Sequence, residues 1–514
     1  MKRTISALLA VIMLVSCLSA CTSSDDMSEV KFGENEPAQT TEQEKITTPP
    51  QTTKALETTK EPETTVPETT PTPSPEQGNH TDPSVVGKVD ISALPAGLNM
   101  LFETEKSIYT VASTALSYRD YDTGKYGVIS MNGKKYTGAI YADADYINGY
   151  ISVRMKEIDT TDISSINSCG VLDEELNTII PFEYAKFSKV GDRYVYAIKV
   201  TERTDNKDEA VLYVSDDLFT ITPGENDVLY KGTWCVYDVK TGKKIDAASG
   251  SGDVSIYSYG DIISWTEKDG TTHRVNPKGE ELPANITLLD NGAYISGSTV
   301  YDCYKNKLFT FDLETMSVKG VEGEELFVGF LLKETKYMIL DKKGEPVSEY
   351  KFDSRPMVYG NTVISDYIVY DLNGQKLLEE NYISAYDAGT YRIFKGNEGS
   401  IAVLDTKDNS VIYRAVDTDI TVYSSGELYK TIDGKKMRFS YADKDFTIED
   451  SSYTYENGLT VRNDGDKSEI YDLFTGKSVL GGYDRYTLTE GDDGLVYIMV
   501  TNKDYNKEIY VYKR

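Results

Sequence analysis

Apolar and polar residues alternate along most of the chain after about residue 87. The pattern is plain at 194–198 (Tyr-Val-Tyr-Ala-Ile) and at 509–512 (Ile-Tyr-Val-Tyr). Successive side chains of a strand point to opposite faces, so a period of two predicts strands. No long apolar stripe with the 3.6-residue period of a helix is found beside it. We therefore predict that residues 87–514 are nearly all β-strand.

One unit recurs in this region: an apolar strand, an Asp, a turn containing Gly or Asn, a Lys and a further strand. Gly and Asn adopt the positive φ that tight hairpins need, and the Asp can hydrogen-bond the turn backbone. The Asp positions advance by 30 and 34 residues from Asp341 through Asp371 to Asp405. The step of 65 from Asp173 to Asp238 predicts two periods, as does the step of 67 that follows Asp405.

Repeats of about 30–50 residues with several hairpins each are typical of a β-propeller or a β-solenoid. The long, Tyr-rich strands favour a propeller, because the rungs of a solenoid are short. We predict an all-β fold in which residues 87–514 form a β-propeller of about seven to nine blades.

The segment at 21–86 has a different composition. It contains nine of the sixteen prolines, repeated pairs of Thr and a single aromatic residue, Phe32. Such a segment buries too little apolar surface to offset its chain entropy, so we predict a disordered tether. In an extended conformation of about 3.1 Å per residue it would reach about 200 Å. That reach favours a Gram-positive type of cell surface.

Residues 1–20 have the features of a signal peptide. Lys2 and Arg3 supply the positive charge, and the apolar run at 5–15 is too short to span a bilayer as a mature helix. The segment ends in Leu18-Ser19-Ala20-Cys21, which resembles the lipobox of bacterial lipoproteins. The resemblance implies that a lipid on Cys21 anchors the protein to the cell membrane on its extracytoplasmic face.

Two families of repeats resemble parts of the strand-rich region. Stretches at 125–134, 170–184 and 336–345 are similar to the WG repeat of bacterial surface proteins, with Tyr or Cys in place of the Trp. The Tyr-Asp-x-x-Thr-Gly-Lys copies at 237–243 and 471–477 resemble quinoprotein-like propeller repeats without their closing Trp. These resemblances imply a propeller fold and a surface location. They carry no catalytic residue over to this chain.

Charge and composition exclude several functional classes. Asp and Glu outnumber Lys and Arg by 83 to 54, a net charge of −29, so we predict no nucleic-acid partner. A mean hydropathy of −0.42 excludes a polytopic membrane protein. His273 is the one histidine after the tether, which argues against a His-dependent hydrolase or a zinc site. We predict no catalytic residue, no metal and no cofactor.

Three cysteines remain after the signal peptide and the lipidation site: Cys169, Cys235 and Cys303. They allow one disulfide at most, and the choice between a bridge and buried thiols stays open. Carboxylates are close together at 143–145 and at 463–466, the kind of oxygen ligands that Ca²⁺ takes. Neither segment continues into an EF-hand loop, so we interpret both as solvated hairpin turns.

The forty tyrosines suit half-buried strands and also binding surfaces. Trp234 and Trp265 are the candidate ligand-binding residues, because an indole can stack on a sugar or anchor a peptide, although filling the core is the commoner role of such a residue. We predict a monomeric, non-catalytic, lipid-anchored surface protein whose propeller binds an envelope or extracellular protein or glycan. The alternatives are a carbohydrate-active enzyme with paired Asp/Glu in the propeller channel and a scaffold for envelope assembly.

Overall fold

The computed structural model describes residues 85–87, 96–215, 218–220, 227–379, 381–423, 426–449, 453–454, 458–464, 467–483, 485–491 and 495–513. They belong to the second of the two units into which the chain divides, Pro71–Arg514. The predicted signal peptide, Cys21 and most of the predicted tether lie outside these residues. No helix in the described ranges is long and apolar enough to cross a membrane.

The chain is all-β, with 57% strand and 3% helix. The alternation at 194–198 and 509–512 lies in strands, as predicted. Among the described residues, the helical segments are one turn of α-helix, α1 (Ile163–Ile166), and two 3₁₀ turns, Lys207–Glu209 and Asn397–Gly399. Asp162 caps α1 by accepting a hydrogen bond from the backbone N–H of Ser164.

The strands form eleven antiparallel sheets, the blades, numbered here along the chain. Two N-terminal strands, which belong to the last blade, are β1 (Val85–Gly87) and β2 (Gly97–Thr104). Blade 1 contains β3 (Ser107–Val111), β4 (Ala115–Arg119) and β5 (Tyr126–Ser130). Blade 2 contains β6 (Asp143–Ile147), β7 (Tyr150–Arg154), β8 (Cys169–Leu172) and β9 (Thr178–Tyr184).

Blade 3 is the largest, with β10 (Lys186–Val190), β11 (Tyr194–Thr204), β12 (Leu212–Ser215), β13 (Leu218–Thr220), β14 (Val228–Asp238) and β15 (Lys243–Ser251). Blade 4 contains β16 (Ser255–Tyr259), β17 (Ile262–Thr266) and β18 (Thr272–Val275). Blade 5 contains β19 (Thr287–Leu288), β20 (Tyr294–Ser296), β21 (Thr299–Tyr301) and β22 (Lys307–Thr310). Blade 6 contains β23 (Met316–Gly320), β24 (Phe327–Leu331) and β25 (Lys336–Leu340).

Blade 7 contains β26 (Met357–Tyr359), β27 (Thr362–Ser365), β28 (Ile368–Asp371) and β29 (Lys376–Leu378). Blade 8 contains β30 (Tyr382–Ala388), β31 (Tyr391–Gly396), β32 (Ser400–Asp405) and β33 (Val411–Val416). Blade 9 contains β34 (Thr421–Val422), β35 (Leu428–Ile432), β36 (Lys435–Ser440) and β37 (Asp445–Glu449). Blade 10 contains β38 (Tyr453–Thr454), β39 (Leu459–Asp464), β40 (Lys467–Asp472) and β41 (Lys477–Tyr483). Blade 11 combines β1 and β2 with β42 (Tyr486–Glu490), β43 (Val496–Thr501) and β44 (Lys507–Lys513).

The ring of blades is closed by pairing the two ends of the described chain. β2 lies antiparallel to β44, with Gly97 opposite Lys513 and Thr104 opposite Lys507. The N-terminal strand thus supplies the outer part of blade 11, and the sheets form a propeller of eleven blades. The first strands of blades 1 to 4 contact one another in sequence, so they lie on the inside of the ring, where the blades converge.

The prediction of seven to nine blades was wrong. Blades 1, 4 and 6 have three strands each, and their fourth is reduced to single bridges such as Val275 with Glu281, so a blade takes fewer residues than expected. The 65-residue step from Asp173 to Asp238 is also one period and not two. It joins blades 2 and 3, and the hairpin β12–β13 lengthens it.

The predicted Asp turns are confirmed at the end of the third strand. Asp341 Oδ1 accepts hydrogen bonds from the N–H groups of Lys343 (2.8 Å) and Glu345 (2.9 Å), and Gly344 between them has φ +77°. In blades 1 to 10 the third strand ends at, or is followed directly by, a residue with a short polar side chain. These residues are Ser130, Asp173, Asp238, Asn276, Asp302, Asp341, Asp371, Asp405, Ser440 and Asp472.

The core lies between successive blades. One cluster joins Ile364 of blade 7 to Phe394 of blade 8, and another joins Ile393 of blade 8 to Leu428 of blade 9 and Leu473 of blade 10. Each blade is therefore apolar on both faces and exposes polar residues at its turns. Removing a blade would leave two apolar faces without a partner, so the repeats stabilise one another.

Candidate functional site: the groove beside Trp234

Blade 3 departs from the repeat at the turn between its second and third strands. β11 and β14 are each 11 residues long, and they extend past the sheet of the neighbouring blades. The hairpin β12–β13 is inserted there and pairs with β14, with Leu212 opposite Tyr230. A bulge between Val200 and Glu202 bends β11 where the extension begins.

Trp234 and Trp265, which the sequence singled out, are in contact across the boundary of blades 3 and 4. Their ring centroids are 5.6 Å apart in an edge-to-face arrangement. Each side chain is 3% exposed, because β14 and β17 both turn these positions towards the boundary. Tyr196 covers Trp234 at 6.1 Å, and the His273 ring stacks on Trp265 at 5.0 Å. The indole faces are thus occupied by protein, and their contact with a ligand stays a prediction.

The indole N–H groups of both tryptophans are buried, and neither has a hydrogen-bond partner among the described residues. A buried donor without a partner costs about 1–3 kcal/mol. Gly250 lies against the Trp234 indole, since a Cβ at that position would be 3.1 Å from Nε1. Gly250 therefore packs against the polar edge of Trp234, where a larger residue would not fit.

A groove of about 750 Å³ begins at Trp234 and Gly250. It lies between the inserted segment of blade 3, the link from blade 3 to blade 4 and the β17–β18 turn. Its charged residues are Asp208, Glu209, Lys231, Asp253, Glu267, Lys268 and Asp269. Five carboxylates and two ammonium groups give the groove a negative charge.

Ion pairs and one main-chain contact engage both lysines of the groove. Lys231 pairs with Glu209 and, at 3.4 Å, with Glu202, and the ammonium group of Lys268 donates to the carbonyl of Asp208. The hydrogen bond from Lys231 lowers the pKa of Glu209. Both lysines are thus engaged on the inserted segment, and Asp253 and Glu267 add negative charge on the opposite wall.

The catalytic and metal-binding candidates that the sequence analysis considered are His273 and the acidic residues. His273 is on β18, where it stacks on Trp265 and has Nε2 at 3.3 Å from a carboxylate oxygen of Glu267. Among the described residues, no three His, Cys, Asp or Glu side chains come together as a metal site. Within the described ranges, every carboxyl group with a shifted pKa has it lowered. Glu209 and Asp269 of the groove are two of these groups.

The structure describes the three cysteines, Cys169, Cys235 and Cys303, and the acidic residues Asp143 and Asp145. All three thiols are free, and burial raises the pKa of Cys169 and of Cys303 to about 11, so both stay protonated at neutral pH. Asp143 and Asp145 lie on the strand β6 and not in a turn, which corrects the interpretation of that segment. The strand exposes both carboxylates, because they share one face of β6.

Sequence reasoning selected Trp234 and Trp265 as candidates but did not indicate the groove. The inserted hairpin has no motif of its own, and only the lengthened step between Asp173 and Asp238 marked it. That step was interpreted as two regular periods. The charged residues around Trp234 could not be selected from the sequence, because they come from separate segments of an acidic chain.

Comparison with known proteins does not identify a family for this chain. No protein-family model and no curated protein sequence matches the chain. Among solved structures, the chain is similar to the computationally designed Ika8 protein (10% identity, TM-score 0.21, covering 81% of this chain and 99% of that one). It is also similar to BamB from Moraxella catarrhalis (11% identity, TM-score 0.22, covering 61% of this chain and 100% of that one). A further similar structure is the C-terminal WD40 domain of Sif2 (11% identity, TM-score 0.22, covering 81% of this chain and 99% of that one). The eleven-bladed arrangement itself follows from the strand pairing of this chain.

Proposed function

We propose that the protein is a non-catalytic, lipid-anchored cell-surface propeller that binds an envelope or extracellular ligand, protein or glycan, in the groove beside Trp234. The observation that carries the proposal is the departure of blade 3 from the repeat. In repeat proteins, insertions collect on one face of the array and often form its binding surface. The groove is walled by such an insertion and contains a buried indole edge.

The charge of the groove favours a ligand with basic groups. Among the described residues, Asp253 and Glu267 have no lysine partner, and Glu267 lies beside His273 at 3.3 Å, while Lys231 is held by Glu209 and Glu202. A ligand ammonium or guanidinium group would add the missing positive charge. Because the attraction is electrostatic and near the surface, we expect affinity to fall as ionic strength rises.

The first experiment is a binding screen with the purified full-length protein. Cell-wall and plant-type polysaccharides and basic extracellular proteins are tested, and turnover is measured in the same wells. The variant Asp253→Asn with Glu267→Gln should weaken binding several-fold, because it removes two carboxylates from the groove. The matched control is Glu322→Gln with Glu324→Gln, in the first turn of blade 6. Equal binding by both variants, or release of product, would contradict the proposal.

The anchoring part of the proposal rests on the segment that ends at Cys21 and on the Thr- and Pro-rich stretch after it. Labelling of cells with radioactive palmitate, followed by membrane fractionation, tests it directly. We expect Cys21→Ser to abolish labelling and to release the protein from the membrane fraction. Cys17→Ser is the control, since this residue lies within the signal segment, and it should leave both properties unchanged.

A further inference from the structure

A second cavity, of about 480 Å³, lies at the opposite end of blades 3 and 4. In an antiparallel blade, the turns after the first and third strands share one end, and the turn after the second strand is at the other. The groove beside Trp234 is at the second of these ends. The cavity is at the first, between the turns that follow Asp238 and Asn276.

The turns after the third strand carry lysines although the chain has a net charge of −29. In nine of these ten turns an exposed lysine lies in the turn or at the start of the fourth strand, as Lys134, Lys342 and Lys407 do. Turns of successive blades are neighbours, since Lys305 of blade 5 is 3.3 Å from Glu280 of blade 4. These lysines form a row at one end of the ring, called the rim here, in which some are paired with carboxylates, as Lys305 is with Glu280 and Lys342 with Glu325.

Part of this row of lysines lines the cavity. Lys243 and Lys244 of blade 3 and Lys278 of blade 4 line it, and all three are exposed. Among the described residues, the carboxylates on the wall are Asp246 and Asp238, whose side chain is 4% exposed. None of the three lysines takes part in an ion pair within the described part of the chain.

The carboxylate of Asp238 is already neutralised. Arg193 donates to its Oδ2 through Nε (3.1 Å) and Nη2 (2.8 Å), and Nη1 reaches Asp261 of blade 4 at 2.8 Å. Burial lowers the pKa of Arg193, but hydrogen bonds to Tyr304 and Asp238 outweigh it, so the pKa is raised and the guanidinium stays charged. Lys243 shares a face of β15 with Ile245, which packs towards blade 4, whereas Lys244 and Asp246 lie on the other face, towards blade 2. The field in the cavity is then set mainly by the ammonium groups of Lys243 and Lys278, the latter 5.6 Å from the centre of the Tyr304 ring.

We propose that this cavity binds an oxyanion, the phosphate or carboxylate group of an anionic molecule. Lys243 of blade 3 and Lys278 of blade 4 bring positive charge to the cavity from two adjacent blades, and an oxyanion between them would pair with both. Hydrogen bonds between ionised partners are the stronger kind, and the Thr241 hydroxyl adds a neutral donor on the wall. The site is separate from the groove beside Trp234, so either can fail without the other.

The test measures binding of inorganic phosphate, polyphosphate and polygalacturonate to the full-length protein by calorimetry. The variant has Lys243, Lys244 and Lys278 replaced by Gln, and we expect at least about tenfold weaker binding, equivalent to 1.4 kcal/mol. The control has Lys342, Lys343 and Lys376 replaced by Gln, which removes the same charge from the rim away from the cavity. Its binding should stay within about twofold of the wild type.

The possible results of this binding test separate the ligand sources. Binding of phosphate alone assigns the cavity to a free ion, and preference for a polymer assigns it to a repeating ligand that also contacts the rim. Preference between polyphosphate and polygalacturonate identifies the oxyanion. Failure of all three probes at millimolar concentration would overturn the proposal, as would an equal loss in the two triple variants. Matching circular dichroism spectra and unfolding temperatures exclude a folding defect.

Discussion

Blades 3 and 8 have the same framework and differ at one end. In each, an arginine near the start of the second strand reaches an adjacent blade, Arg193 to Asp261 and Arg392 to Thr362. In each, the third strand ends at an Asp. The turn between the second and third strands is a single 3₁₀ turn in blade 8, whereas blade 3 has an inserted hairpin there. The end that holds the repeated Asp turns is constrained, and the opposite end tolerates insertion.

The largest expected effect on stability comes from the tryptophan pair, which belongs to the boundary of blade 3 and has no counterpart in blade 8. Trp234→Ala should lower the free energy of unfolding by about 3–5 kcal/mol, because it removes a buried ring from a boundary that no smaller side chain can fill. Chemical denaturation measures it. The control is Tyr257→Ala, on the first strand of blade 4 and 61% exposed, for which we expect a change within about 0.5 kcal/mol. A loss of ligand binding with unchanged stability would instead identify Trp234 as a contact residue.

The two arginines test the same comparison at the blade boundary. Arg193→Met leaves the buried Asp238 carboxylate without its counter-ion, so we expect a loss of about 3 kcal/mol. Arg392→Met should cost about 1–2 kcal/mol, because its partner Asp387 is 69% exposed and water can solvate it. Denaturation of both variants under the same conditions measures the difference. Equal losses would show that the boundary of blade 3 has no special dependence on its ion pair.

The Asp turn of blade 7, a blade without an insertion, tests how much these turns contribute to stability. Asp371 Oδ1 accepts from the N–H groups of Asn373 (2.9 Å) and Gln375 (2.8 Å), so Asp371→Ala should cost about 1–2 kcal/mol. Thermal unfolding measures the effect. Asn373→Ala is the control in the same turn, since its side chain contacts Asp371 only at 3.5 Å. If both variants unfold alike, the Asp does not define the turn.

The smallest expected effect is a gain in stability. Tyr505 is 84% exposed and holds φ +66° at the position that Gly344 and Gly374 occupy in related turns. A side chain in the left-handed region costs about 1–2 kcal/mol, and glycine loses more chain entropy on folding, so Tyr505→Gly should stabilise by up to about 1 kcal/mol. A rise in unfolding temperature is the measure. A fall would indicate that the Tyr505 ring has a stabilising contact.

The strands and turns could be predicted because they follow from local physical chemistry. Alternation at 509–512 places side chains on two faces of a strand whatever that strand pairs with. The Asp–Gly turns depend on hydrogen bonds and φ angles within five residues. For the same reason the single steps from Asp341 to Asp371 and Asp405 were interpreted correctly, as was the double step that follows Asp405.

The remainder depends on contacts between distant residues. Closure of the ring requires β2 to pair with β44, which are about 400 residues apart, and no local signal specifies that partner. The number of blades follows from that closure and from how many strands each blade keeps. Burial of Trp234 is decided by the approach of blade 4, and the two cavities by which turns the ring brings side by side. The sequence by itself determined the strands, the turns and the lipobox-like segment at Cys21. The tertiary structure decided the blade count, the groove and the oxyanion cavity, because long-range packing selects among turns that are locally alike.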